Sequence, residues 1–167
     1  MARDRDTVDD VIEAWHREWP EYEVAPRAML MRLNRIQTLL ERRTKALLAD
    51  YGLTFYGFKI LAVLRRAGPD YQATPGELSR SLYVMSGTLT HQLDQLEEAG
   101  LVTRLPDPND RRGVLVQLTD HGKRQVEAAL LANNARDQQA LASLTPEERA
   151  AAEDILRKVL LHLEQGG

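Results

Sequence analysis

The chain has 167 residues, 43% apolar and 28% charged, proportions of a folded domain that exclude a disordered, collagenous or low-complexity polymer. At this length folding hides roughly 70% of the surface that an unfolded chain exposes, so a core forms without staples; the absence of cysteine excludes thiolate nucleophiles, thiol switches and Cys-based metal clusters, and suits a reducing cytoplasm. The net charge of -3 argues against nucleic acid only on average, because charge is segregated: residues 1–26 carry three Arg against eight acids, whereas 27–45 carry six basic residues against Glu41 alone.

Residues 7–19 spell a short helix, with Val8, Ile12, Trp15 and Trp19 on one stripe before Pro20 ends it, and that stripe is expected to be buried. Pro26 suits the first turn of a longer helix in which Leu30, Leu33, Ile36, Leu40 and Leu47 trace an apolar face until Gly52 stops it. Thr54 caps a third helix to about Arg66, with Phe58, Leu61 and Leu64 on one side. Thr74-Pro75-Gly76-Glu77 is a capping box that opens a very short helix to about Leu82. Ser86 caps the next, with Leu89, Leu93 and Leu96 inward and Gly100 closing it. The period then switches to two: Leu101 to Leu105, a polar turn, and Val114 to Leu118 form a β-hairpin with an eight-residue charged tip. Thr119 begins a long helix through Val126 and Leu130, and Thr145-Pro146-Glu147-Glu148 launches a last one with Ile155, Val159 and Leu163 aligned. With a charged N-terminus and apolar runs no longer than 60–64, neither an export signal nor a membrane span is expected.

The fold class is therefore mainly α with a small β-hairpin wing, the order of a winged helix-turn-helix. A helix that reads the major groove must present short donors and acceptors from its first turns. Ser86, Gly87, Thr88, Thr90, His91 and Gln92 supply them opposite the leucines, and Gly87 lets backbone approach phosphate. The hairpin tip, residues 107–113, carries Arg111 and Arg112 where a wing reaches the minor groove, whose negative potential attracts guanidinium. Asp110 is expected to hold Arg112 by a bidentate bond.

Residues 78–104 (Leu-Ser-Arg-Ser-Leu-Tyr-Val-Met-Ser-Gly-Thr-Leu-Thr-His-Gln-Leu-Asp-Gln-Leu-Glu-Glu-Ala-Gly-Leu-Val-Thr-Arg), 107–112 (Asp-Pro-Asn-Asp-Arg-Arg) and 116–122 (Val-Gln-Leu-Thr-Asp-His-Gly) resemble the MarR family of bacterial transcriptional regulators. The resemblance spans about residues 27–163 and implies a homodimer on a pseudo-palindromic operator of double-stranded DNA, most simply a repressor released by a small effector. It also implies N-terminal extension and dimerisation helices over 1–50, a DNA-binding lobe over 51–120 and C-terminal dimerisation helices over 121–167, within one structural domain. Carried over by position, Ser86, Thr88, Thr90 and His91 face the major groove, Arg112 enters the minor groove with Asp110 as its orienter, and Arg111 lies nearer phosphate. Many relatives have Arg where this chain has His91, which makes a shorter, pH-sensitive contact. The extra N-terminal helix with Trp15, Trp19 and Pro20-Glu-Tyr looks like the urate-responsive branch, although Lys59 follows Phe58 where that branch often has an acid. An effector pocket lined by Trp15, His16, Arg32, Tyr56 and Lys59 would favour a small anionic or aromatic molecule.

Other chemistries find little support. Ser86-Gly87 lacks a hydrolase elbow, and the sequence has no Gly-rich phosphate loop. Histidines 16, 91, 121 and 162 never fall at the spacing that pairs metal ligands on a helix. Asp107 and Asp110 sit in an exposed turn beside arginines and are expected as turn formers rather than an acid-base pair. No enzyme activity, cofactor or metal is expected. The alternative reading is a winged-helix protein-protein interaction module without operator binding.

Overall fold

The computed structural model describes residues 5–82, 86–108 and 110–166, and leaves the side chains of Ser86 and Arg111 outside that description. The elements in order are α1 (Thr7–Glu18), α2 (Ala25–Ala49), α3 (Phe55–Arg65), β1 (Gln72–Ala73), α4 (Pro75–Leu82), α5 (Ser86–Glu98), β2 (Val102–Asp107), β3 (Asp110–Leu118), α6 (Asp120–Ala140) and α7 (Pro146–Gln165).

Local chemistry starts and stops these helices. The hydroxyls of Thr54, Thr119 and Thr145 accept from the N–H groups of Gly57, Gly122 and Glu148, satisfying donors that the first turns of α3, α6 and α7 leave free. Thr74 with Glu77 and Thr145 with Glu148 form reciprocal capping boxes: each carboxylate accepts the threonine N–H at 2.8 Å, and each hydroxyl accepts the glutamate N–H at 3.2 Å. Asp6 caps α1, and Asp9 returns the bond. Gly100, at φ 67, ends α5 in a Schellman turn in which the Leu101 N–H reaches the Leu96 carbonyl and the Gly100 N–H that of Glu97. The capping role read for Ser86 lies outside the described residues.

One core fills the lobe. α3 lies at its centre with Phe58, Ile60, Leu61, Val63 and Leu64 buried, and Leu78 of α4, Leu89, Leu93 and Leu96 of α5, Val116 of β3 and Val126 of α6 close around it. The sheet has the order β1-β3-β2, all antiparallel. Its edge strand β1, absent from the sequence reading, is two residues long, too short to show any periodicity. It follows Tyr71, a non-glycine residue at φ 52, whose ring lies between the Arg65 guanidinium at 5.1 Å and the Lys123 ammonium at 4.5 Å.

The wing is tighter than the apolar alternation predicts. Pairing continues past Leu105 to Pro106 opposite Val114 and Asp107 opposite Asp110, so the strands run into the expected eight-residue tip, and residues 111–113 bulge out of the ladder. Backbone pairing needs no apolar side chains, which is why the charged residues read as loop. Gly113 is required in the bulge, because a Cβ there would stand 2.9 Å from that of Asp107.

The flanking helices correct three expectations of burial. Of the α1 stripe only Val8 is buried; Trp15 and Trp19 are exposed and pack on each other and on Tyr22, ring centroids 5.1–6.5 Å apart, over the turn into α2. On α2, Leu47 is buried while Leu30 and Ile36 face outward. α7 buries no residue, and its Ile155 and Leu163 are exposed. In each case the apolar face exists as read, but a single chain supplies nothing to cover it. No described helix is long and apolar enough to cross a membrane.

Candidate nucleic-acid interface

α4 and α5 follow α3 in the lobe, and α5, its third helix, turns one face inward and one outward. Leu89, Leu93 and Leu96 recur at spacings of four and three and are all buried, so the helical pitch leaves Gly87, Thr88, Thr90 and His91 exposed on the opposite side. Those four predicted residues stand together. Gln92 does not join them: it is half-buried, its carbonyl oxygen accepts from the Thr54 hydroxyl at 2.7 Å, and its amide donates to Gln95 Oε1 at 3.0 Å. The side chain of Ser86 lies outside the described residues.

α5 is braced to the wing by a residue that the sequence reading did not single out. The Arg104 guanidinium on β2 pairs with Asp94 at 2.6 Å and Glu97 at 2.5 Å, and its backbone N–H donates to Glu97 at 3.1 Å. The hydrogen bond that the Arg104 guanidinium donates to Asp94 leads the causes that raise its pKa above that of an ordinary arginine. The legible trace was two acids before the helix-ending Gly100 and one arginine after it, a reversal that brings residues seven and ten apart face to face.

On the wing Arg112 is exposed. The expected bidentate bond between Asp110 and its guanidinium is not formed; the Asp110 carboxylate instead accepts the Arg112 backbone N–H at 2.9 Å. An aspartate reaches the N–H two residues on with a short side chain, shaping the turn, whereas meeting the guanidinium would require the longer chain to fold back. Among the described residues no ion pair engages the Arg112 guanidinium. The side chain of Arg111 lies outside them.

The five residues proposed to line an effector pocket are not gathered within one chain. Arg32 is held by Asp6 at 2.8 Å and Asp9 at 2.5 Å, so an anion would compete with two carboxylates already in place. It borders a cleft of about 430 Å³ with Arg5, Val8, Ile36 and Leu39. Trp15 borders a separate groove of about 510 Å³ along α1 with Val11 and Ala14, and His16 is exposed outside both. Tyr56 and Lys59 belong to neither cavity, and the Lys59 ammonium sits 5.1 Å from the Phe55 ring and 5.9 Å from that of Tyr56. Distance explains the separation: α1 packs on the first half of α2, while α3 starts beyond the far end of that 25-residue helix, which is roughly 37 Å long. Among the described residues no group of His, Cys, Asp and Glu is arranged to hold a metal ion.

A helix with a polar outward face, braced in a small helical lobe and followed by a paired wing, defines a winged helix-turn-helix protein. A profile of the MarR family matches residues 53–114. The transcriptional regulator PecS of Dickeya dadantii is 33% identical over 93% of this chain and 94% of its own length, and the multiple antibiotic resistance protein MarR of Escherichia coli K12 is 38% identical over 77% and 90%. The crystal structure of a mutant E. coli MarR complexed with operator DNA superposes with a TM-score of 0.64 at 37% identity, over 79% of this chain and 96% of that one. The chain belongs to the MarR family and is a transcriptional regulator.

Proposed function

We propose that the chain works in the cytoplasm as a homodimer that occupies a pseudo-palindromic operator, represses transcription and is released by a small anionic or aromatic effector, acting by binding and not by catalysis. The observation that carries this reading is the exposed polar face of α5, with Gly87, Thr88, Thr90 and His91, beside a wing that leaves Arg112 exposed. Thr88, Thr90 and His91 contact base edges in the major groove, the Gly87 backbone approaches phosphate, and Arg112 enters the minor groove. Ser86 and Arg111 keep the base-edge and phosphate roles that the resemblance implies.

The homodimer is supported by apolar surface that one chain leaves open on its terminal helices. Ile36 is 53% exposed on α2 and Leu163 is 65% exposed on α7, a surface that monomers rarely leave in contact with water. In the dimer the two α5 helices must sit about 34 Å apart to enter successive major grooves. An effector bound between the terminal helices and the lobe releases DNA by changing that spacing.

Fluorescence anisotropy with DNA from the upstream region of the gene, against scrambled DNA over a salt series, tests the reading. The expected result is preference for one site, with log affinity falling against log salt by roughly 0.9 per phosphate contact. Weak binding indifferent to sequence in upstream DNA and in a selection from genomic fragments would overturn it in favour of a protein-binding module.

A further inference from the structure

We propose that Gln92 is a positioning residue for DNA recognition: it holds the first turn of α3 through Thr54 and thereby fixes the tilt of α5, leaving base reading to its neighbours. The inference rests on the operator-binding reading above. A glutamine that reads adenine needs both ends of its amide at the base. Here both ends are engaged within the protein, the oxygen by the Thr54 hydroxyl and the nitrogen by Gln95. The same Thr54 hydroxyl accepts the Gly57 N–H at 2.9 Å, so one oxygen caps α3 and ties it to α5.

The two helices approach closely at this point. A Cβ on Gly57 would lie 2.9 Å from Thr54 Oγ1 and 3.3 Å from Leu96 Cδ2, which makes glycine part of the joint. Beside it a cleft of about 430 Å³ opens between residues 52–54 and the C-terminal half of α5. Open space on that flank gives α5 room to roll toward α3, and the Thr54–Gln92 bond is the polar contact across it. On the other flank Arg104 fixes α5 to the wing. Tilt in each subunit sets the separation of the two recognition helices in a dimer, so the joint governs which half-site spacing is accepted.

Selection of binding sites from randomised DNA by the full-length protein, compared with Gln92→Met, Gln92→Ala and Thr54→Ser, tests the inference. Both Gln92 variants are expected to retain the wild-type base preference at every half-site position, to accept a wider range of half-site spacings, and to bind the best wild-type site about 5-fold more weakly, the size of one hydrogen bond. Thr54→Ser keeps the hydroxyl and should match the wild type in both respects. A changed preference at one base position would make Gln92 a base reader and overturn the proposal, as would unchanged spacing and affinity in both Gln92 variants. A wild-type protein that enriches no sequence overturns the operator reading itself, a result distinct from an enriched site that is indifferent to Gln92.

Discussion

Gly122→Ala is expected to destabilise the fold by roughly 2–4 kcal/mol, a large share of the stability of a domain this size. Gly122 lies in the first turn of α6, directly over the chain leaving α5. A Cβ built there stands 2.0 Å from the Leu101 carbonyl oxygen, 2.8 Å from its carbon and 3.1 Å from its Cα, where ordinary contact begins near 3.4 Å. The obstacle is backbone and cannot rotate aside, so α6 and Leu101 must part by more than an ångström. That parting pulls on the Thr119 knot, in which the Thr119 N–H donates to the Leu101 carbonyl at 3.1 Å, its hydroxyl donates to that of Gly100 at 2.8 Å, and the same hydroxyl accepts the Gly122 N–H at 3.0 Å. Loss of the cap costs about 1 kcal/mol, and overpacking against a rigid neighbour about 1–3 more. Urea unfolding followed by circular dichroism at one protein concentration measures the sum. Gly87→Ala is the control: nothing lies within 4 Å of a Cβ there, so its urea midpoint should match the wild type while its affinity for DNA falls. A wild-type midpoint for Gly122→Ala would refute the packing argument.

Arg112→Ala is expected to weaken operator binding by roughly 1–3 kcal/mol without dissociating the dimer in sedimentation, and an unchanged affinity removes the wing from recognition. Acid should release α1. The Arg32 guanidinium holds the Asp6 carboxyl below its ordinary value, and the Thr74 N–H does the same for Glu77. A folded-state pKa below the unfolded one means that this stabilisation is complete above about pH 5 and is lost as pH falls through the lower folded value. Both tryptophans lie at α1 and its C-cap, so their emission should shift to the red below about pH 4 and should be shifted already at pH 7 in Arg32→Ala. Identical spectra for the two proteins at pH 7 would exclude the Arg32 clamp as what docks α1. Deleting residues 1–25 should leave base preference intact and weaken dimerisation or effector response, because α1 packs on α2; altered base preference with normal dimerisation counts against this.

The helix boundaries and the inward faces of α3 and α5 were legible in the sequence because they depend on neighbours within about four residues. The threonine caps, the two capping boxes, Gly100 and the Leu89, Leu93 and Leu96 stripe each announce themselves over one turn of chain. The exposed character of Thr88 and His91 follows from the same stripe. What no local pattern could show is the partner that each long polar side chain meets. Gln92 and Thr54 are 38 residues apart, and Arg32 lies 26 from Asp6. Asp110 chose a backbone N–H over a guanidinium because the bulge at 111–113 decided where that N–H points. Propensity and periodicity therefore determined the helices and the hairpin, and the residue motifs of 78–104, 107–112 and 116–122 carried the family resemblance. Only the packed chain decided which polar groups bind one another and which remain exposed, since a hydrogen bond needs two groups within about 3 Å and sequence separation says nothing of that distance once the chain has folded back on itself.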